Sequence, residues 1–236
     1  MNIAIICAAG SGKRLKRKIP KALISLNKRP IFIHCLKSFL KPQSSIDRIL
    51  IMAPKSHLKK FFQLVKKQLT KKQQGKIIDI IPGGQERQFS VKTGLEYLNK
   101  IKTNPNSPVL VHNAANIFVS PGDILACLKV IKRNQAAAVA KPCPDTLRII
   151  NKKLEPIKKL NREIIWCMQT PQGAAFKILK KAHKKAKKEN YLGTDELELI
   201  QRIKYPAKII PSSGPNFKIT YPQDLIIAQA LLKSHA

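Results

Sequence analysis

Apolar positions along the chain follow two rhythms. Short runs that are apolar at nearly every position, NIAIICAA (2–9), IDRILIMA (46–53), KIIDII (76–81), PVLVHNAA (108–115) and AAAVA (136–140), have the length and density of strands buried on both faces. Between them, RPIFIHCLKSFL (29–40), SHLKKFFQLVKKQL (56–69), residues 86–99 and a segment after Pro121 place apolar residues three or four apart, which predicts helices, with Ser56 as an N-cap. Strands alternating with helices predict parallel pairing through right-handed crossovers, so the expected fold class is α/β, a doubly wound and mostly parallel sheet.

The rhythm breaks from about Lys141 to Arg162. KPCPDTLRIINKKLEPIKKLNR carries two short β-prone pieces around a turn, with prolines on both sides, and predicts a protruding β-hairpin arm at about 141–165. Helices near 174–188 and 194–203, a strand at AKIIPS (207–212) and a helix from Pro222 close the pattern. A length of 236 residues with 44% hydrophobic residues suits one core, and no linker-like stretch interrupts the chain, so 1–236 reads as a single domain.

Charge changes the picture of partners more than of fold. The chain has 45 Lys+Arg against 13 Asp+Glu, a formal +32, which draws polyanions to it. The lysine runs KKQLTKKQQGK (66–76) and KKAHKKAKK (180–188) read as solvated helix faces without the interleaved aromatics of a single-strand platform. Nucleic acid is therefore expected only as a non-specific, salt-sensitive partner. No apolar run approaches the ~18 residues of a membrane span, and the protein is expected to be soluble and cytoplasmic. Cys7, Cys35, Cys127, Cys143 and Cys167 are scattered and suggest neither zinc ligation nor a disulfide framework.

The candidate chemistry sits where the first strand ends, in CAAGSGKRLKRKIPKA (7–22). Glycines there would let backbone amides approach an anion, and the cations would neutralise it. It is neither of two familiar phosphate loops. In the P-loop pattern Arg14 stands where Ser or Thr is needed, and in G-x-G-x-x-G Leu15 stands at the third glycine. What remains is A-A-G-x-G-x-R over Ala8, Ala9, Gly10, Gly12, Lys13 and Arg14, followed by Pro20 and Lys21.

That loop resembles the signature of sugar-phosphate nucleotidyltransferases, whose sheet is Rossmann-like. With IPKAL, GGQERQFSV (83–91), VLVHNAA (109–115), TPQGAAF (170–176), TDE (194–196) and NFKITYPQDL (216–225), the chain is similar over nearly its whole length to the 2-C-methyl-D-erythritol 4-phosphate cytidylyltransferases of non-mevalonate isoprenoid synthesis. The resemblance implies transfer of CMP from CTP to the sugar-alcohol phosphate with release of pyrophosphate. It implies Arg14, Lys21 and Lys218 as catalytic cations. It places cytosine against Ala8, Ala9, Gly84 and Ser90 and ribose against Ala114 and Ala115, with Gly10 and Gly12 as further substrate-binding residues of the loop, and the sugar phosphate at Thr146, Arg162 and Thr170. It also implies a homodimer through the arm, with Thr146 and Arg162 serving the neighbouring subunit. Arg87 is read as structural.

The match departs from the family pattern V-H-D-A-A-R. Asn113 replaces the aspartate that holds Mg²⁺, Asn116 replaces the arginine, and Pro215 stands where an acidic residue often precedes N-x-K. Asn113 offers one neutral oxygen, so any Mg²⁺ is expected to arrive on the phosphates of CTP. Of the other acidic groups in motif segments, Asp145, Asp195, Glu196 and Asp224, the TDE pair and Asp224 read as helix caps. Two alternatives stay open at this point: a ribitol-5-phosphate cytidylyltransferase, and a nucleotide- or polyanion-binding homologue with weakened catalysis.

Overall fold

The computed structural model of the chain describes residues 1–15 and 19–234, without the side chain of Lys13. Its strands are β1 (Ile3–Cys7), β2 (Ser25–Leu26), β3 (Arg29–Pro30), β4 (Arg48–Ala53), β5 (Ile77–Pro82), β6 (Pro108–Asn113), β7 (Ala136–Pro142), β8 (Arg148–Ile150), β9 (Pro156–Lys159), β10 (Trp166–Ala175) and β11 (Ala207–Pro211). Its helices are α1 (Ile31–Leu40), α2 (Leu58–Gln68), α3 (Lys71–Gln74), α4 (Arg87–Lys100), α5 (Pro121–Ile131), α6 (Phe176–Lys188), α7 (Glu196–Arg202) and α8 (Pro222–Ser234). No helix is long and apolar enough to cross a membrane, among the described residues.

Strand β1 shows how the core is divided. Successive side chains of a strand face opposite ways. Ile3 and Ile5 join one buried cluster with residues of α4, α6 and α7, while Ala4 and Ile6 join the other with residues of α1, α2, α5 and α8. Helices on both faces explain why the strands are apolar at nearly every position, and the doubly wound expectation holds.

The seven-stranded sheet runs β11-β7-β10-β6-β1-β4-β5. β1 pairs in parallel with β4 and β6, and its last residue, Cys7, lies level with Met52 and Asn113. The carboxyl ends of these strands therefore finish along one line, and the loops beyond them share one crevice.

The structure corrects three expectations. β10 lies between β7 and β6, antiparallel to both, where the sequence pattern had shown no strand, and α6 begins at Phe176 rather than 174. Pro171 and Gly173 hide β10, since both residues are poor strand formers. Pro171 falls within a register shift between Met168 and Gln172, and a side chain on Gly173 would meet the Val109 carbonyl oxygen at 2.1 Å. Second, Ser56 does not cap α2. It lies in a 3-10 turn, Lys55–His57, and its hydroxyl bonds His57 Nδ1 at 2.8 Å instead. Third, Arg29–Pro30, the start of the stretch read as helix, is strand β3, which pairs antiparallel with β2 just before α1 begins at Ile31.

The arm is present as β8 and β9, which pair antiparallel with each other in a sheet of their own. Every residue of both strands is exposed.

Candidate active site

The loop after β1 folds back on itself at Gly12. Its φ of +71° suits glycine, and a Cβ there would lie 2.7 Å from Lys21 Cβ, so only glycine lets Lys21 pack so close. Lys21 Nζ then donates to the Ile219 carbonyl at 2.9 Å, across 198 residues of sequence. Arg14 lies in a 3-10 turn, Lys13–Leu15, with its guanidinium 5.6 Å from the centre of the Tyr221 ring. The neighbouring cations Lys16, Arg17 and Lys18 lie outside the described residues.

The segment carrying Lys218 is anchored by buried asparagines. Asn216 Nδ2 donates to the Thr170 carbonyl at 2.7 Å, and Asn116 Nδ2 donates to the Asn216 carbonyl at 3.0 Å. The Ile219 amide donates to the Ala115 carbonyl at 3.0 Å. Asn116, at the place of the family arginine, thus ties the end of β6 to the strip that presents Lys218. Neither asparagine's anchoring role was legible in the sequence.

These pieces close around a cavity of about 430 Å³. Arg14, Lys21 and Lys218 all line it, as do Ala8, Ala9, Gly10, Gly12, Gly84, Ser90, Ala114, Ala115 and Asn113. The Gly84 amide donates to Ser90 Oγ at 3.0 Å, so Ser90 braces the glycine pair where it borders the cavity. The amino end of α4 also opens here, adding the positive end of a helix dipole.

Electrostatically the cavity is strained in favour of anions. Burial, then Lys218 and Arg14, lower the Lys21 pKa to about 8. Burial, then Arg87 and Arg14, lower that of Lys218 as well. A bound phosphate would relieve both effects. Cys7 faces the same space, but burial pushes its thiol up to about 12, which leaves it a neutral wall rather than a nucleophile.

The residues present do not build a resident metal site. Asn113 Oδ1, the candidate ligand, already accepts a hydrogen bond from Arg87 Nε at 2.9 Å, and a guanidinium there repels a cation. Asp195 caps α7 by accepting from the Glu198 amide at 2.9 Å, and Asp224 Oδ2 accepts from the amides of Thr220 and Tyr221 at 2.7 and 2.8 Å. Asp145 is exposed, among the arm residues. Glu196 is no cap: its carboxylate is buried in an ion pair with Arg87. Among the described residues no group of three or more His, Cys, Asp or Glu could hold a metal ion.

The three residues assigned to the sugar phosphate separate. Thr146 and Arg162 line a second cavity of about 570 Å³ on the arm, where Arg162 Nη1 donates to the Pro144 carbonyl at 3.3 Å. Thr170 is buried in β10 beside the end of β6, and its Oγ1 accepts from the Asn113 amide at 3.2 Å. The arm strands lead Thr146 and Arg162 away because they pair only with each other. Arg87, read as structural, lines the nucleotide-sized cavity and is ion-paired as well.

The family model for 2-C-methyl-D-erythritol 4-phosphate cytidylyltransferase (IspD) matches residues 2–234. The chain belongs to the IspD family. A relative from Syntrophus aciditrophicus named 2-C-methyl-D-erythritol 4-phosphate cytidylyltransferase is 35% identical over 233 residues, covering 98% of this chain and 95% of the relative. The crystal structure of the enzyme so named from Thermus thermophilus superposes with a TM-score of 0.77 at 29% identity, covering 99% of this chain and 100% of that one. The 4-diphosphocytidyl-2C-methyl-D-erythritol synthase from Anaerococcus prevotii gives a TM-score of 0.82 at 25% identity, with 99% and 96% coverage. The mostly parallel sheet with helices on both sides is thus the fold of IspD nucleotidyltransferases.

Proposed function

We propose that this IspD-family protein transfers CMP from CTP to 2-C-methyl-D-erythritol 4-phosphate and releases pyrophosphate. The observation that carries the reading is the meeting of Arg14, Lys21 and Lys218 around one cavity, although the last is encoded at the far end of the chain. In the reaction an oxygen of the sugar-alcohol phosphate forms a bond to the α-phosphorus of CTP. The bond from that phosphorus to the oxygen bridging the β-phosphorus breaks, and pyrophosphate departs with the electron pair. Two polyanions must be brought together, so the work of the chain is positioning and charge neutralisation.

Lys21 and Lys218 supply cations that the cavity itself disfavours and a triphosphate would stabilise. Arg14, steadied on Tyr221, adds a planar donor fork suited to phosphate oxygens. Ala8, Ala9, Ala114 and Ala115 are small enough to bring backbone against base and ribose. Magnesium enters only as counter-ion of the CTP phosphates and belongs to the substrate.

The arm supports a further part of the proposal, a homodimer in which Thr146 and Arg162 reach the site of a second copy. Leu154 is 78% exposed, Ile157 64% and Ile164 78%, an apolar surface that a monomer leaves in water. Pyrophosphate release on mixing the protein with CTP, magnesium and methylerythritol phosphate tests the reaction, with ribitol 5-phosphate as the competing alcohol. Turnover only with ribitol 5-phosphate, or none with either, would overturn this reading.

A further inference from the structure

Arg87 borders the nucleotide cavity yet its contacts lie in the interior. It is the first residue of α4, and its side chain keeps 21% exposure while that of Glu196 keeps 1%. Its guanidinium is gripped from two sides: Nε by Asn113 Oδ1 at 2.9 Å, and Nη2 by Glu196 Oε2. Nothing local brings these groups together, since Arg87 and Glu196 stand 109 residues apart.

The position of Glu196 is itself braced. Gln172 of β10 donates to Asp195 Oδ2 at 2.9 Å and accepts from the Leu197 amide at 3.0 Å, clamping the start of α7 on either side of Glu196. Behind the carboxylate, His183 Nε2 lies 3.8 Å from Glu196 Oε1, and neither atom has a hydrogen-bond partner. Burying a carboxylate this fully is costly, and a buried ion pair is often no more stabilising than apolar residues of the same size. What the pair secures is geometry. A guanidinium forked between Asn113 and Glu196 cannot swing into solvent or collapse onto an entering triphosphate; burial works against its charge, but Glu196 beside it outweighs that cost and holds it charged above its usual range.

We propose that Glu196 is a positioning residue: through Arg87 it fixes a permanent cation over the phosphates of the bound nucleotide, at the strand end where Asn113 provides no metal-binding carboxylate. The proposal deepens the cytidylyltransferase reading and rests on it for the identity of the nucleotide.

The test compares the affinities of wild type, Glu196→Gln and Arg87→Lys for CTP and for cytidine, by calorimetry and by competition. Glu196→Gln should weaken CTP by about tenfold or more, the loss of a fixed charge-assisted contact, while cytidine changes by less than about twofold. Arg87→Lys keeps a charge beside Glu196 but cannot fork between two acceptors, so it should show the same phosphate-dependent loss. It decides the matter should Glu196→Gln fail to fold. Equal loss for CTP and cytidine would make the pair merely structural, and unchanged CTP affinity in both variants would also overturn the proposal. Its failure is distinct from that of the reaction. A wild type that binds CTP without releasing pyrophosphate would sink the transferase reading, while a phosphate-dependent loss in Glu196→Gln would still place Arg87 on the nucleotide.

Discussion

The cavity and the arm solve opposite problems with the same chain. At the cavity, cations are drawn out of water and crowded together until their charge is disfavoured, as the lowered pKa values of Lys21 and Lys218 record. Buried asparagines, a glycine turn and an interior ion pair hold them there. On the arm, charged and apolar side chains alike stand in water, and β8 and β9 are held mainly by each other. One region closes around a cavity lined by cations; the other leaves apolar side chains such as Leu154, Ile157 and Ile164 in water.

The largest effect should come from removing a cavity cation. Lys21→Ala and Lys218→Ala should each cost at least ~2 kcal/mol of transition-state stabilisation in pyrophosphate-release kinetics, as loss of one preorganised donor does. A loss below threefold in either would detach that residue from the mechanism.

Next, the arm should act in trans. Lys218→Ala and Arg162→Ala proteins, each feeble alone, should recover about a quarter of the wild-type rate when mixed and allowed to exchange subunits, because each heterodimer contains one intact site. No recovery, with exchange shown by sedimentation of tagged copies, would confine Arg162 to its own chain. Ile157→Asp should shift sedimentation toward monomer while the far-ultraviolet circular dichroism of the folded chain stays unchanged. A dimer that persists would move the interface off the arm.

A smaller effect follows from Lys21. In the free protein its charge is lost as pH rises through about 8, so CTP affinity should weaken above that pH, and Lys21→Met should flatten the profile. The folded state releases this proton more readily than the unfolded chain, so the stability contribution of Lys21 rises from about pH 8 toward the ordinary lysine value of 10.5.

The smallest concerns His112, buried beneath the site with its Nε2 2.8 Å from the Asn116 carbonyl. Burial lowers its pKa from 6.5 to about 4, so the unfolded chain takes up a proton that the fold refuses. Stability should therefore fall as pH drops from 6.5 toward 4, read as the urea midpoint, with a shallower fall in His112→Gln. An unchanged slope would mean the buried ring is not what titrates.

Much of this was legible beforehand because its causes are local. A strand buried on both faces must be apolar throughout, as Ile3–Cys7 is, and a loop that turns sharply beside an anion needs glycine and cations close in sequence, as Gly12, Arg14 and Lys21 are. Lys218 was legible only through the family motif, since no spacing relates it to Lys21. The strand β10 was hidden because Pro171 and Gly173 contradict strand propensity, and only pairing with β6 and β7 overrides it.

By itself, then, the sequence determined the alternating architecture and the glycine-bearing loop with the cations close to it in sequence, since hydrophobic period and turn chemistry act over a few residues. Tertiary structure alone decided that Arg87 is held by Glu196 and Asn113, that Asn116 and Asn216 steady Lys218, and that Thr146 and Arg162 stand apart on the arm. Those outcomes depend on which distant segments are buried against one another, and burial is what turns a pair of ordinary charges into a fixed piece of the site.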